Sequence, residues 1–144
     1  WASRREEPYT PWGDMWATLR WGRCRKALAG GLEQVEREEI VAMVERLQLV
    51  AQSPDFTPGL FSFFSGYAEY LLDLDGIGQL EIAVTDASVR RLFFYDLLAL
   101  LCEGLLKEQR YDDAERYVRE VTGEQGQGAY GRFLLAQIAA HKKR

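Results

Sequence analysis

The placement of proline constrains this chain more than any other feature of its sequence. All four prolines lie within the first 58 of its 144 residues, at positions 8, 11, 54 and 58. Proline removes a backbone donor and clashes with the preceding helical turn, so it interrupts helices. The longer, proline-free part of the chain is therefore open to long helices, divided only by short breaks rich in glycine or other turn-forming residues.

Apolar residues recur at helical spacing, which predicts an all-α fold of about six helices packed as antiparallel hairpins. The predicted helices cover residues 11–28, 32–52, 58–73, 87–108, 111–121 and 129–141, with a glycine-rich loop over 122–128. Thr10, Thr57 and Asp86 are the expected N-caps. Residues 79–85 alternate apolar and polar side chains and fit either a short extended segment or the start of a helix. We expect a flexible arm over 1–9 and a single helical domain over 10–144.

The apolar pattern also predicts which faces are buried. The third helix is apolar nearly all round, so it is expected at the centre of the fold with Phe64 in the core. The inward row predicted on the first helix is Trp12, Met15, Trp16 and Leu19. On the second helix the predicted inward residues are Val35, Ile40, Val41, Val44, Leu47 and Val50, with Glu36 among the solvated glutamates.

Composition excludes several classes of protein. Hydrophobic residues make up 47% of the chain, enough for a packed core rather than global disorder. The 22 acidic residues outnumber the 18 basic ones, which disfavours a stand-alone nucleic-acid binder. No apolar run approaches the roughly 18 residues of a membrane span. The two cysteines, Cys24 and Cys102, are far apart and fit a reducing compartment better than a disulfide scaffold.

The motifs that could carry chemistry are all incomplete. The glycines of 126–131 have dinucleotide-loop spacing, but they follow a predicted helix rather than a strand, which favours a loop between helices. The stretch 73–76 resembles a calcium loop, yet Leu71 and Ile82 stand where it needs ligands. His141 is the only histidine, which removes paired nucleophiles and multi-histidine metal sites. We therefore expect a protein that is not an enzyme, with no catalytic, cofactor-binding or metal-binding residues.

The first helix carries a basic and aromatic patch formed by Arg20, Trp21, Arg23 and Lys26. Residues 1–31 hold six basic and three acidic residues, although the chain as a whole is acidic. Trp21 lies off the inward row, and the three cations follow one edge of the helix at three-residue spacing. Two interpretations stay open: an interface for phosphate or an acidic partner, or favourable charge near a helix C-terminus on a solvated face. As an interface, protein contact through Trp21 is favoured over DNA.

Three stretches in order, and a fourth more loosely, resemble the N-terminal domain of the first subunit of the small nuclear RNA-activating protein complex (SNAPc). Trp16-Ala-Thr-Leu19-Arg20-Trp21-Gly22 is similar to the family's Trp-x-x-(Met/Leu)-(Lys/Arg)-aromatic-Gly motif. Pro54-Asp-Phe56-Thr57, before an aromatic-rich helix, resembles its Pro-aromatic-Thr segment. Leu80-Glu-Ile82-Ala-Val84-Thr-Asp86 resembles its alternating apolar segment ending in Asp, and Tyr111-Asp112-Asp113-Ala114 its Tyr-Asp-x-Ala helix.

The resemblance implies a non-catalytic nuclear scaffold subunit of a complex that binds small nuclear RNA promoters. Most sequence reading in such a complex belongs to a subunit with Myb repeats. This chain would then bind other protein subunits and meet promoter DNA indirectly or through the DNA backbone. The alternative is a general helical adaptor of the tetratricopeptide or telomere-factor-homology kind, which binds a peptide or itself. A helical enzyme is the least favoured class, because the chain lacks clustered catalytic groups.

Overall fold

The computed structural model describes residues 11–54, 56–125 and 128–143, and within them it contains eight α-helices and no strand. The helices are α1 (Pro11–Ala29), α2 (Gln34–Val50), α3 (Pro58–Leu71), α4 (Ile77–Ala83), α5 (Ala87–Leu92), α6 (Phe94–Lys107), α7 (Tyr111–Gln125) and α8 (Gly128–Lys142). The all-α prediction is confirmed. The expected arm over 1–9 and the expected cap at Thr10 lie outside the described residues. One apolar cluster draws residues from every helix.

Local signals explain the ends of α1 and α2. Gly30 adopts a φ of 77°, a left-handed conformation that favours glycine, and its amide donates to the Lys26 carbonyl at 3.0 Å. A capping box starts α2, because the Glu33 amide donates to the Glu36 carboxylate at 3.0 Å. On α1, Met15 and Leu19 are buried and Trp16 is half-buried, as the row predicted; the side chain of Trp12 lies outside the described part.

The inward face predicted for α2 is wrong in part. Val35 and Val41 are exposed, at 56% and 46%. The buried row is Glu36, Ile40, Met43 and Leu47. A row with alternating spacings of four and three stays on one side of a helix that turns about 100° per residue, whereas the set of valines spreads around it. Glu36 is therefore buried rather than solvated.

Helix α3 occupies the centre, as predicted, and packs against α1, α2, α4 and α5. The Thr57 hydroxyl accepts from the Leu60 amide at 3.2 Å, and Pro58 takes the first helical position. Phe63, Phe64 and Tyr67 have no exposed surface. Other helices therefore cover nearly all sides of α3, as expected for a helix that is apolar nearly all round.

The ambiguous segment 79–85 is helical over most of its length, in α4. The Asp75 carboxylate accepts from the Ile77 amide at 3.2 Å and helps to start the helix. Gly66 and Gly76 bring α3 and this start together, since a Cβ on Gly66 would lie 2.9 Å from the Gly76 carbonyl oxygen. Leu80 is then fully buried while Ile82 is 53% exposed. Helical packing therefore prevails over the apparent alternation.

The single helix predicted over 87–108 is wrong, because the chain divides there into α5 and α6 at Phe93. Phe93 has φ −124° and ψ 36°, outside the helical region. Its ring stacks on Phe63 at 4.7 Å and meets the edge of Trp16 at 5.3 Å. This contact in the core accompanies the break between the helices, and no residue near Phe93 in the sequence indicates the break. Asp86 caps α5 as predicted, through the Ser88 amide at 2.8 Å.

Helices α7 and α8 pack on each other, and both contact α6. The loop predicted over 122–128 is wrong for residues 122–125, which belong to α7, and residues 126 and 127 lie outside the described part. Thr122 is buried against Gly131, where a Cβ would lie 2.7 Å from the threonine hydroxyl. This close approach explains the last glycine of the G-x-G-x-x-G stretch by packing.

Candidate protein-interaction site

Two arginines of the basic patch point toward α6. The Arg20 side chain lies 3.9 Å from the Asp96 carboxylate, and the Arg23 guanidinium lies 3.8 Å from the other oxygen of Asp96. Arg23 also reaches Glu103, at 3.9 Å. These carboxylates lie more than 70 residues away along the chain, so the sequence carried no signal for the pairing.

The third cation of the patch, Lys26, closes the end of α3. Its ammonium donates to the Leu71 carbonyl at 3.1 Å and to the Asp73 carboxylate at 2.5 Å. A cation at a helix C-terminus meets the negative end of the helix dipole. The hydrogen bond from Lys26 also holds the pKa of Asp73 below its usual range. Asp73 belongs to the stretch that resembles a calcium loop, and its carboxylate pairs with Lys26 and with Arg37, the latter at 3.4 Å.

The three cations of the patch therefore all have carboxylates of the chain as neighbours. Arg20, Arg23 and Lys26 each lie within 4 Å of a carboxylate. A nucleic-acid phosphate that approached them would compete with Asp96, Glu103 and Asp73. The arrangement favours a role in holding α1 against α3 and α6.

Trp21 lies on another side of α1 and is 60% exposed. It belongs to a row at positions 17, 21, 24 and 28, with spacings of four, three and four. Ala17 and Cys24 are exposed, and Leu28 is 86% exposed. We call these four residues the outer stripe. Sequence reasoning singled out Trp21 but missed its three companions, although their heptad spacing was readable.

Ion pairs between α1 and the start of α2 lie next to the outer stripe. The Arg25 guanidinium donates to Glu36 at 2.9 Å and to Glu33 at 3.3 Å. The pKa of Glu36 is lowered, first by the backbone amide of Glu33 and then by Arg25. These bonds fix α1 on α2, so the outer stripe is displayed on an anchored helix.

The motif residues that carry the family resemblance mostly join helices. The Trp16 indole N–H donates to Asp96 at 2.8 Å, and a Cβ on Gly22 would come within 3.2 Å of side chains on α2 and α3. The Thr57 hydroxyl donates to Asp86 at 2.7 Å, which links the second stretch to the third. Glu81 accepts from Arg110 at 2.8 Å, beside the fourth stretch. The Trp21 side chain also hydrogen-bonds Glu36 on α2, although 60% of its surface is exposed.

The remaining chemical groups have ordinary surroundings. Burial raises the pKa of the Cys102 thiol to about 12, which keeps it protonated, whereas Cys24 is exposed. A ring nitrogen of His141 lies 2.9 Å from the Gln137 carbonyl oxygen. Across the described residues, histidine, cysteine and carboxylate side chains do not form a group of three that could hold a metal.

Compared with known protein families, curated proteins and solved structures, the chain matches none of them. No helix in the described ranges combines the length and the apolar character that crossing a bilayer requires.

Proposed function

We propose that this chain is a non-catalytic scaffold subunit of a nuclear complex that binds small nuclear RNA promoters. In this proposal it binds other protein subunits, a Myb-repeat subunit among them, and meets promoter DNA chiefly through them. The resemblance to the first SNAPc subunit supports the proposal.

The observation that carries the proposal is the contrast between the two sides of α1. Arg20 and Arg23 face carboxylates of the chain itself. Trp21 and Leu28 instead expose 60% and 86% of their surface on an anchored helix. Tryptophan is enriched among residues that dominate protein interfaces. A protein partner can bury such an apolar stripe, whereas a phosphate backbone is bound by charged and polar groups.

The test is a pull-down with the chain as bait and identification of captured proteins by mass spectrometry. The expected partner is a Myb-repeat protein, and Trp21→Ala is expected to reduce its recovery at least tenfold, as loss of an interface hot spot does. Leu49→Ala on α2 is the matched control, because Leu49 is also exposed, at 70%. The control is expected to capture the partner as the parent chain does.

The DNA interpretation is tested in the same complex with Arg20→Gln and Arg23→Gln together. Glutamine removes the charges without placing new carboxylates beside Asp96. The salt dependence of promoter binding is expected to stay unchanged, since each lost phosphate contact lowers its slope by about one unit. Abolished DNA binding in this variant, with intact partner capture by Trp21→Ala, overturns the protein-contact proposal. A clean homodimer without a DNA-linked partner supports the helical-adaptor alternative instead.

A further inference from the structure

The outward side of α8 is apolar, although a solvated helix face normally carries charge. The buried row of this helix is Gly131, Leu134 and Ile138. The residues at about 180° from that row, on the outward side, are Ala129, Phe133, Ala136 and Ala140. All four are exposed, and Phe133 exposes 56% of its surface. We call these four residues the α8 row.

Helix α2 shows the ordinary pattern for comparison. Opposite its buried row it carries Glu38 and Glu45, with Val41 and Leu49 beside them. Covering that side with another helix would bury both carboxylates, which costs free energy unless each finds a partner. The α8 row can be covered without burying a charge. A helix that is apolar on opposite sides is typical of a helix that packs on both of them.

The spacing of the α8 row fits an antiparallel pair of helices. Its intervals of four, three and four residues are those of the a and d positions of a heptad. In an antiparallel pair of two copies, Phe133 of one copy lies opposite Ala136 of the other. Ala129 likewise lies opposite Ala140, and both contacts recur across the two-fold axis. Each phenylalanine ring then meets a small side chain, whereas a parallel pair would oppose the two rings.

The charges of α8 are compatible with this pairing. Its cations are Arg132 and Lys142, and Lys142 is paired within the chain with Asp112 and Glu115, at 3.2 and 3.3 Å. In the antiparallel pair, Arg132 lies beside Ala139 of the second copy, so the two arginines do not face each other. The antiparallel direction also places the positive end of each helix dipole beside the negative end of the other.

The size of the contact sets its strength. Helix α8 has 15 residues and is therefore about 22 Å long. One pair of such helices buries less than the roughly 800 Å² per partner of a standard stable complex. We therefore expect a dissociation constant on the order of 100 µM. At a few micromolar the chain is then monomeric.

We propose that the α8 row binds the α8 row of a second copy of the chain, as an antiparallel helix pair about a two-fold axis. The contact is isologous, so it closes with two copies and does not extend into a polymer. It uses no residue of the outer stripe and does not rest on the proposed function.

Sedimentation equilibrium of the whole chain measures the pairing. Concentrations from about 5 µM to about 1 mM bracket the expected constant. A reductant is present because Cys24 is exposed and could form a disulfide between copies. The mass is expected to rise with concentration from that of the 16.5 kDa chain toward twice that value.

Exchanging the large and small residues of the α8 row tests the register. Phe133→Ala alone leaves only alanines opposite each other, and Ala136→Phe alone opposes two phenylalanine rings. Each single change is expected to weaken the dimer at least tenfold. The double variant with both changes again places each phenylalanine against an alanine. It is expected to recover the parent dissociation constant to within about threefold, because the two sites are coupled across the axis.

Matched controls lie on the exposed side of α2. Leu49→Ala and Ala42→Phe make the same kinds of change outside the α8 row and are expected to leave the constant unchanged. Trp21→Ala is also expected to leave it unchanged, which separates this contact from the one in the proposed function. A monomer at every concentration, a dimer that survives Phe133→Ala, or a double variant no better than the single changes overturns the proposal. Loss of the dimer in Trp21→Ala overturns it as well, since the outer stripe would then be the contact.

Discussion

Phe64→Ala is expected to destabilise the fold by about 3–5 kcal/mol, the usual range for a large truncation in a core. The Phe64 side chain has no exposed surface. A buried phenylalanine removes roughly 150–250 Å² from water. At about 25 cal/mol per Å², and after subtraction of the surface that alanine keeps, this transfer contributes about 3 kcal/mol.

The neighbours of Phe64 determine how much the cavity adds. Its ring lies 5.4 Å from Phe63, 5.6 Å from Phe93 and 6.1 Å from Phe56. These rings belong to the same helix, to the break between α5 and α6, and to the segment before α3. Because they are held by separate parts of the chain, they cannot all close on the gap. The cost should therefore fall in the upper half of the range.

Urea unfolding followed by far-ultraviolet circular dichroism measures this cost. With a urea dependence of about 2 kcal/mol per molar, the midpoint is expected to fall by about 2 M. Phe133→Ala is the control, because Phe133 is 56% exposed and should shift stability by less than about 1 kcal/mol. A loss below about 1 kcal/mol in Phe64→Ala would refute the central placement of α3.

Two further predictions concern packing and pH. Gly104→Ala should destabilise the fold by about 1–3 kcal/mol in thermal unfolding, because the added Cβ would overlap Ile77. Gly123→Ala has open space around it and should stabilise α7 by about 0.5–1 kcal/mol. Equal effects of the two substitutions on stability would contradict the packing described for Gly104. Hydrogen bonds, first from Arg110, lower the pKa of Glu81 in the folded state. In acid the unfolded chain therefore binds more protons than the folded chain at this position. The free energy of unfolding should then fall as the pH drops below about 4.3. Glu81→Gln should flatten this dependence in urea titrations at several pH values, and an unchanged slope would count against the Glu81 contribution.

The sequence predicted those parts of the fold that depend on local signals. Proline, glycine and capping residues marked α1 and α3 to within about two residues, the usual uncertainty of helix ends. Phe64 was recognisable as core because its helix is apolar nearly all round. The break at Phe93 was not predictable, because its cause is a ring on α3 about 30 residues away.

The candidate site shows the same division. The exposure of Trp21 followed from its angular position on α1, and the rest of the outer stripe was readable from its heptad spacing. The pairing of Arg20 and Arg23 with carboxylates was not predictable, because Asp96 and Glu103 come from α6.

Cys24 offers the most direct measurement of the central claim that the outer stripe binds a protein. It is exposed within the stripe, whereas Cys102 is buried with a raised pKa, so a thiol reagent reports mainly on Cys24. Its modification rate is compared in the isolated chain and in the purified complex with a captured Myb-repeat subunit. The account predicts that the rate falls at least tenfold in the complex. An unchanged rate in a fully assembled complex would contradict it.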